Sequence, residues 1–271
     1  LEYDPDAHET VVDLERFYVE YQAEDALTLG LGKRHTPMGY WNNAYHHGMV
    51  FQPTIDRPLL TEFEDGGGLQ PAHDTGLWAR GRSGTAGWFG YDVMLSNGQT
   101  GSQASDGNAH KALTVHLEGK AAPFALGVTY RSDLLAPNTA LNARPGTVSL
   151  ETEVTYTGLD ARVEHPRVQA LGEYLQVKEK DSAGEATTKA WFLYVGVPLG
   201  AWTPYALVQD AKVDAATRLF AGFVDSQRSQ SLGLRYQFEA PVVAKLEAAR
   251  TTYPATDRSE RRITFALAFG F

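Results

Sequence analysis

The chain has 271 residues, a formal net charge of −9 and no cysteine. Disulfide bridges and thiolate metal sites are therefore excluded, and the acidic balance argues against nucleic acid as a partner. The mean hydropathy is −0.32, and no run of about 18 apolar residues could form a membrane-spanning helix. A membrane protein built from strands also has a low mean hydropathy, because only every second residue of each strand meets lipid.

Apolar residues alternate with polar or small ones along most of the chain, and this period of two predicts β-strands. We predict about 13 strands, preceded by the stub of another at residues 1–3, with further strands expected upstream of the stub. The predicted strands cover residues 16–22, 27–32, 77–82, 89–95, 113–118, 124–131, 148–157, 168–178, 191–197, 205–207, 231–239, 242–248 and 263–271.

Connections between these strands alternate between short turns and longer loops, the longest loop being residues 37–75. Such alternation is typical of an up-and-down antiparallel barrel. We predict one transmembrane barrel over residues 1–271. An even strand number of about 14 to 16 is expected, because single-chain bacterial barrels have even counts.

The segment 148–157 predicts which face of a strand meets lipid. Glu151 and Glu153 share one face, and the opposite face is mostly apolar. Burying a charge in hydrocarbon costs several kcal/mol. We therefore expect both carboxylates to face water in the lumen and the apolar face to meet lipid.

Two other segments extend this interpretation. Glu173 has the same parity as Leu171 and Leu175, which predicts a bulge or a shifted strand boundary. Tyr205 and Leu207 are grouped with the apolar stripes that we expect to face lipid.

The final strand carries the clearest stripe. Its alternate positions are Ile263, Phe265, Leu267, Phe269 and Phe271, and the intervening positions are small or polar. A terminal phenylalanine that closes an alternating strand resembles the last strand of bacterial outer-membrane β-barrels. This resemblance implies an outer-membrane protein of a Gram-negative bacterium. The strand runs from the long-loop side to the short-turn side, which predicts a periplasmic C-terminus.

The passage into the long loop carries a second resemblance. Residues 32–42 are similar to a pattern, G-[KR]-x-x-x-P-x-G-x-[WF]-N, of porins related to the phosphate-selective porins. The resemblance extends only to Gly76. It implies a passive, water-filled, often trimeric pore. We expect the loop to fold toward the lumen, with Tyr40 and Trp41 narrowing it.

Parity also selects candidate lining residues. The predicted pore-lining residues are Arg80, Arg82, Arg131, Glu151, Glu153 and Arg235. Positive and negative candidates nearly balance, so phosphate selectivity is not carried over from the resemblance. We expect diffusion of small hydrophilic solutes past mixed charge. The favoured interpretation is that Arg80, Arg82 and Arg131 pair with neighbouring carboxylates on the inner wall.

Other functions have weaker support. A plugged structural or adhesive barrel is the main alternative. The expected partners are outer-membrane lipid, lipopolysaccharide and further copies of the chain in a homotrimer.

No cofactor is predicted. His35, His46 and His47 could bind a transition metal, but adjacent histidines on an extended segment point apart, so packing is favoured.

A catalytic site has little support in the sequence. The loop near residues 96–110 holds Ser102, Asp106 and His110, the residue types of a catalytic triad. No nucleophile motif accompanies them, and polar loops commonly contain these residues. We therefore predict that the protein is not an enzyme.

Overall fold

The computed structural model describes residues 2–4, 9–11, 16–46, 48–62, 67–84, 87–99, 108–140, 147–239 and 241–270. The strands are β1 (Glu2–Asp4), β2 (Glu9–Val11), β3 (Phe17–Glu24), β4 (Leu27–His35), β5 (His73–Ser83), β6 (Gly87–Ser96), β7 (Ala112–Ala121), β8 (Phe124–Leu135), β9 (Thr139–Ala140), β10 (Thr147–Val148), β11 (Thr152–His165), β12 (Val168–Asp181), β13 (Gly184–Gly196), β14 (Trp202–Lys212), β15 (Gln227–Gln237), β16 (Val242–Tyr253) and β17 (Arg258–Phe269). One short α-helix, α1 (Trp41–Ala44), and a 3-10 turn at Leu59–Thr61 lie in the long loop.

Thirteen strands form one antiparallel sheet in chain order, from β3 to β8 and then from β11 to β17. This arrangement confirms the predicted all-β, up-and-down antiparallel fold. The stub predicted at residues 1–3 is a strand, Glu2–Asp4, but it pairs with β2 in a separate two-stranded ladder and is not part of the main sheet. Among the described residues, no helix is long and apolar enough to cross a membrane.

The outer face of the sheet carries the exposed large apolar side chains. They recur on successive strands and include Leu77, Phe89, Leu126, Leu159, Leu193, Leu232, Ile263, Phe265, Leu267 and Phe269. A continuous apolar band with its side chains turned outward matches a wall that meets lipid. Phe271, the last member of the predicted stripe, lies outside the described residues.

Strand β11 corrects the predicted orientation of residues 148–157. Val154 and Tyr156 face inward and are fully buried, whereas Glu153 is exposed on the outer face and Glu151 precedes the strand. Glu153 pairs in register with Lys180, close to the turn between β12 and β13. Glu151 and Glu153 therefore lie at the loop end of the wall, beyond the apolar band. The prediction that these two residues line the lumen is wrong.

The connections also differ from the prediction in two places. The sequence pattern predicts long loops at residues 179–189 and 252–260, where apolar alternation gives way to polar residues. In the structure β12 and β13 are joined by a two-residue turn, and β16 and β17 by a four-residue turn. The strands continue where polar residues suggested loops, because strand pairing extends past the apolar band.

The inner face is covered by the segment that follows β4. Residues 38–60 contact inward-facing side chains of β8, β12, β14, β15 and β16. One segment can meet so many strands on the same face only if the sheet curves around it. The interior of the sheet is therefore partly filled by protein.

A charge placed in the middle of the outer band tests this orientation. Phe265→Arg is expected to lower the free energy of unfolding by about 2–4 kcal/mol, because the guanidinium would have to enter hydrocarbon. Urea unfolding in phospholipid vesicles measures the change. Thr264→Arg, on the inner face of the same strand, is the matched control. An equal loss in the two variants would contradict the assignment of faces.

Candidate functional site

The inward segment is anchored first at Glu173 of β12. This carboxylate is buried, and its Oε1 accepts hydrogen bonds from the backbone N–H groups of Tyr40 (2.9 Å) and Trp41 (2.6 Å). Gly39 has φ +63°, and a Cβ there would lie 2.3 Å from Glu173 Oε2. Only glycine tolerates both the conformation and the close approach. Strand β12 is regular, so the predicted bulge at Glu173 is wrong.

A second anchor lies on β16. The ammonium of Lys245 is buried and donates to the carbonyl oxygens of Met49 (2.5 Å), Gln52 (2.7 Å) and Thr54 (2.8 Å). Glu247, one inward position further along, accepts from Ile55 N–H at 3.3 Å. Buried backbone groups must be hydrogen-bonded, and here charged wall residues provide the partners.

Apolar packing joins these anchors across β11 to β14. Trp41 is fully buried, and its ring centroid lies 5.6 Å from that of Phe192 in an edge-to-face contact. Tyr205 and Leu207 face inward and belong to the same core, so their predicted lipid-facing position is wrong. Trp41 is therefore an anchor of the loop and is not exposed in a constriction.

Arg131 occupies another buried position, on β8. Its guanidinium is fully buried and donates to Asp74 (2.6 Å), Thr114 (2.9 Å) and Asp133 (3.0 Å). Asp74 also accepts from Ser96 at 2.7 Å. The side chain faces inward, but protein covers it, and the prediction that it lines the pore is wrong. The favoured reading, pairing with carboxylates on the wall, describes this residue.

The opposite side of the interior holds a cavity of about 510 Å³ between the inner wall and the inward segment. Its wall belongs to β3–β7 and β11, and Gly39, Tyr40 and Asn43 of the loop close one side. The ionisable residues that line it are Asp25, Arg34, Tyr40, Arg80, Arg82, Tyr91, Asp92, His116, Glu118 and Arg162. The predicted lining residues Arg80 and Arg82 lie in this cavity.

Strand register explains why these charges meet. Arg80, Asp92 and His116 are direct partners along one row of hydrogen-bonded strands. Arg82 and Glu118 flank Gly90 in the next row of the same face. Positions that are distant in the sequence thus form two adjacent rows of charge on the inner wall.

Most of these charges are paired. Ion pairs join Arg34 to Asp92 (2.6 Å), Arg80 to Glu20 (2.8 Å), and Arg162 to both Glu118 (2.6 and 2.9 Å) and Glu164 (2.8 Å). The side chain of Arg82 has no ion-pair partner within the described part of the chain and is exposed. Its positive charge is therefore the one among the four arginines of the lining that no ion pair neutralises within the described residues.

Tyr40 and Arg162 form the boundary between the loop and the charged wall. The guanidinium carbon of Arg162 lies 3.8 Å from the centroid of the Tyr40 ring, which is a cation–π contact. Burial raises the pKa of Tyr40 to about 12. The phenol therefore stays neutral at physiological pH and adds no negative charge to this boundary.

A glycine makes room for a further polar pair. His116 Nε2 lies 3.0 Å from Asp160 Oδ2 beneath Gly127. A Cβ on Gly127 would lie 2.2 Å from that carboxylate oxygen and 2.6 Å from the imidazole nitrogen. Glycine at this position therefore lets the two side chains approach across the face of β8.

The remaining predicted lining residue, Arg235, lies on the other side of the interior. It faces inward from β15, is half-buried, and donates to Gln237 (2.7 Å) and the Val50 carbonyl (3.4 Å). It supports the loop and is not in the cavity lining. The sequence analysis does not predict Arg162 as a lining residue. The signal was present, because Asp160, Arg162 and Glu164 are charged residues at every second position and so share one face of β11.

Comparison with solved structures gives likenesses of fold. An anion-selective porin from Comamonas acidovorans matches with a TM-score of 0.65 and 12% identity, over 92% of this chain and 76% of that chain. A loop L8 deletion mutant of OmpT, an outer membrane protein of Vibrio cholerae, matches with a TM-score of 0.55 and 10% identity, over 90% and 76%. Outer-membrane expressed OmpT of Vibrio cholerae matches with a TM-score of 0.51 and 12% identity, over 90% of this chain and 75% of that chain.

No protein-family model and no curated protein sequence matches the chain. At these identities the likeness concerns the fold, which is that of outer-membrane β-barrels. The resemblance to the porins related to the phosphate-selective porins stays a prediction.

Removal of the first anchor tests its role. Glu173→Ala leaves two buried N–H donors without their acceptor, so the free energy of unfolding is expected to fall by about 1–3 kcal/mol for each donor. Glu173→Gln keeps an oxygen acceptor and is expected to lose less. Urea unfolding of the refolded protein measures both, with the exposed Glu153→Ala as control. Equal stability of Glu173→Ala and Glu153→Ala would contradict the anchoring role.

Proposed function

We propose that the protein is an outer-membrane channel through which small hydrophilic solutes diffuse passively. The observation that carries the proposal is the ion-lined cavity between the inward segment and the wall of β3–β7 and β11. A passive pore requires a hydrated path and no chemical step. The outward apolar band and the likeness to the fold of outer-membrane barrels support a location in the outer membrane.

The narrow part of the proposed path lies where Tyr40 faces Arg162 and Glu118. Charges of both signs along a confined space keep it hydrated, which favours polar solutes over apolar ones. The ion pairs of Arg34 and Arg162 hold these groups in place. Mixed charge at this position favours a general diffusion channel over a site for one ligand.

A slight preference for anions follows from the unpaired, exposed arginine of the lining. Arg82 contributes a positive charge that no carboxylate neutralises within the described residues. The Comamonas protein of the same fold is described as an anion-selective porin. We extend only a weak selectivity of that kind to this chain, because the other arginines of the lining are paired.

The proposal includes a Gram-negative outer membrane, with lipid and lipopolysaccharide against the outer face and the C-terminus in the periplasm. The apolar stripe of β17 and the short turns at its final end support this placement. A homotrimer stays a prediction from the family resemblance.

Planar bilayer recordings test the channel. Purified, refolded protein is expected to give stepwise current increments of uniform size in a simple potassium chloride solution. Heat-denatured protein in the same detergent is the control. Folded protein without discrete steps would contradict an open channel and would favour the alternative of a plugged structural barrel.

Charge reversal at Arg82 tests the selectivity. Arg82→Glu is expected to shift the reversal potential in a salt gradient toward cation preference, because an exposed, unpaired positive charge of the lining becomes negative. Lys180→Glu, at the loop end of the outer wall, makes the same change outside the cavity and is the control. An unchanged reversal potential in Arg82→Glu would place the solute path elsewhere.

Shortening Tyr40 tests the position of the constriction. Tyr40→Ala is expected to increase the single-channel conductance, because the ring that covers Arg162 is removed while the backbone anchor at Glu173 remains. Tyr45→Ala, on the next turn of the loop and outside the cavity lining, provides the comparison. A larger conductance in Tyr45→Ala than in Tyr40→Ala would contradict the assigned constriction.

A further inference from the structure

Three histidines meet at the neck of the long loop. His35 is the last residue of β4, His73 is the first residue of β5, and the two are direct partners in the strand register. His46 follows α1 and packs against both. One ring nitrogen of each histidine lies within 4.8 Å of the others, and the ring centroids are 4.0 to 5.3 Å apart.

Asn42 determines the orientation and tautomer of His46. The Asn42 amide nitrogen donates to the carbonyl oxygens of Thr36 and Ala72, each at 3.0 Å, so the amide oxygen faces His46. That oxygen lies 2.9 Å from His46 Nδ1. An amide oxygen can only accept, and Nδ1 therefore carries the proton. The lone pair of the neutral imidazole is then on Nε2.

We propose that His35, His46 and His73 form a binding site for one transition-metal dication of the zinc and copper class. Imidazole nitrogen is a preferred ligand of these metals. Bonds of about 2.0–2.1 Å in tetrahedral geometry place ligand nitrogens about 3.3 Å apart. Small side-chain rotations reach that separation from 4.8 Å. A fourth position remains for water.

The surroundings of the cluster indicate the kind of metal. The ligand set is entirely nitrogen, which suits zinc and copper and does not suit calcium or magnesium. Asp74 follows His73 in the sequence, but its carboxylate is bound to Arg131 and Ser96. The hydrogen bond from His46 to Asn42 is the kind of outer contact that fixes the ring of a metal-binding histidine.

A second group of potential ligands serves as a comparison. His116, Glu118 and Asp160 also come close together. There, Arg162 donates to Glu118 and lies 4.0 Å from Asp160, so a guanidinium already supplies the positive charge. The histidine cluster at the loop neck is therefore the better site for a metal cation.

A metal at this position would join three separate pieces of chain. His35 and His73 mark the two ends of the loop, and His46 lies within it. Coordination would hold the segment after α1 against the ends of β4 and β5 and so reinforce the loop at its entrance. Metal binding can be measured on folded protein without transport, so its failure and that of the channel are distinguishable.

Metal titration of tag-free, refolded protein in detergent tests the site. Zinc is expected to bind with a stoichiometry of one per chain by isothermal titration calorimetry. Copper(II) in its place is expected to give an electron paramagnetic resonance spectrum with splittings from imidazole nitrogens. Because only neutral imidazole binds metals, affinity is expected to fall as the solution becomes acidic.

Single substitutions assign the ligands. His35→Gln, His46→Gln and His73→Gln are each expected to abolish stoichiometric binding. Asn42→Ala is expected to weaken it about 10–100-fold, because the outer contact of His46 is lost. His165→Gln, at the exposed end of β11, is the matched control and is expected to bind like the unmodified chain. Heat-modifiable migration in gels confirms that each variant is folded.

Three results would overturn the site. They are no stoichiometric zinc binding to the folded, unmodified chain, binding that survives in the variant with all three histidines replaced, or a copper spectrum without nitrogen splittings. If one variant does not fold, the stoichiometry and the spectrum of the unmodified chain still decide the question.

Discussion

The structure depends on how the backbone of an inward-folded segment finds hydrogen-bond partners. Where this segment packs against the wall, its amides and carbonyls lose contact with bulk water, and an unpaired buried polar group costs about 1–3 kcal/mol. The wall supplies the partners with charged side chains. Glu173 accepts from two N–H groups, and Lys245 donates to three carbonyls. Carboxylates and an ammonium that would be unfavourable in hydrocarbon are therefore required on the inner face of these strands.

This anchoring divides the interior into two unlike halves. Against β12 to β16 the segment is packed, with Trp41 and Phe192 in its apolar core. Against β3 to β7 the wall stays apart from the segment, and paired charges line the space between them. The packed half holds the loop in position, and the rigid loop then defines the width of the other half. In the proposed channel, the packed half keeps the loop out of the space that the lining charges face.

Period-two alternation predicted the fold well because it reports directly on lipid at the outer face. Residues 263–269 show this, since the apolar stripe is exposed as expected. The rule also assumes that water fills the inner face, and its predictions are wrong where that is not so. Tyr205 and Leu207 are apolar and face inward, because the loop covers them. Glu153 is charged and faces outward, because β11 extends past the apolar band into water. Parity distinguishes two faces of a strand, and the medium on each face depends on tertiary structure.

The candidate site was predictable only in part for the same physical reason. Arg80 and Arg82 lie in the cavity lining, and parity alone suggested them. Glu173 looked like an irregularity, because one carboxylate among leucines has no role until the backbone of a distant loop reaches it. The partner of His35 across the loop neck is 38 positions away in the sequence, and no spacing rule connects the two. Sequence alternation thus identifies the residues that meet lipid, whereas residues that meet the loop become evident only once its path through the interior is known.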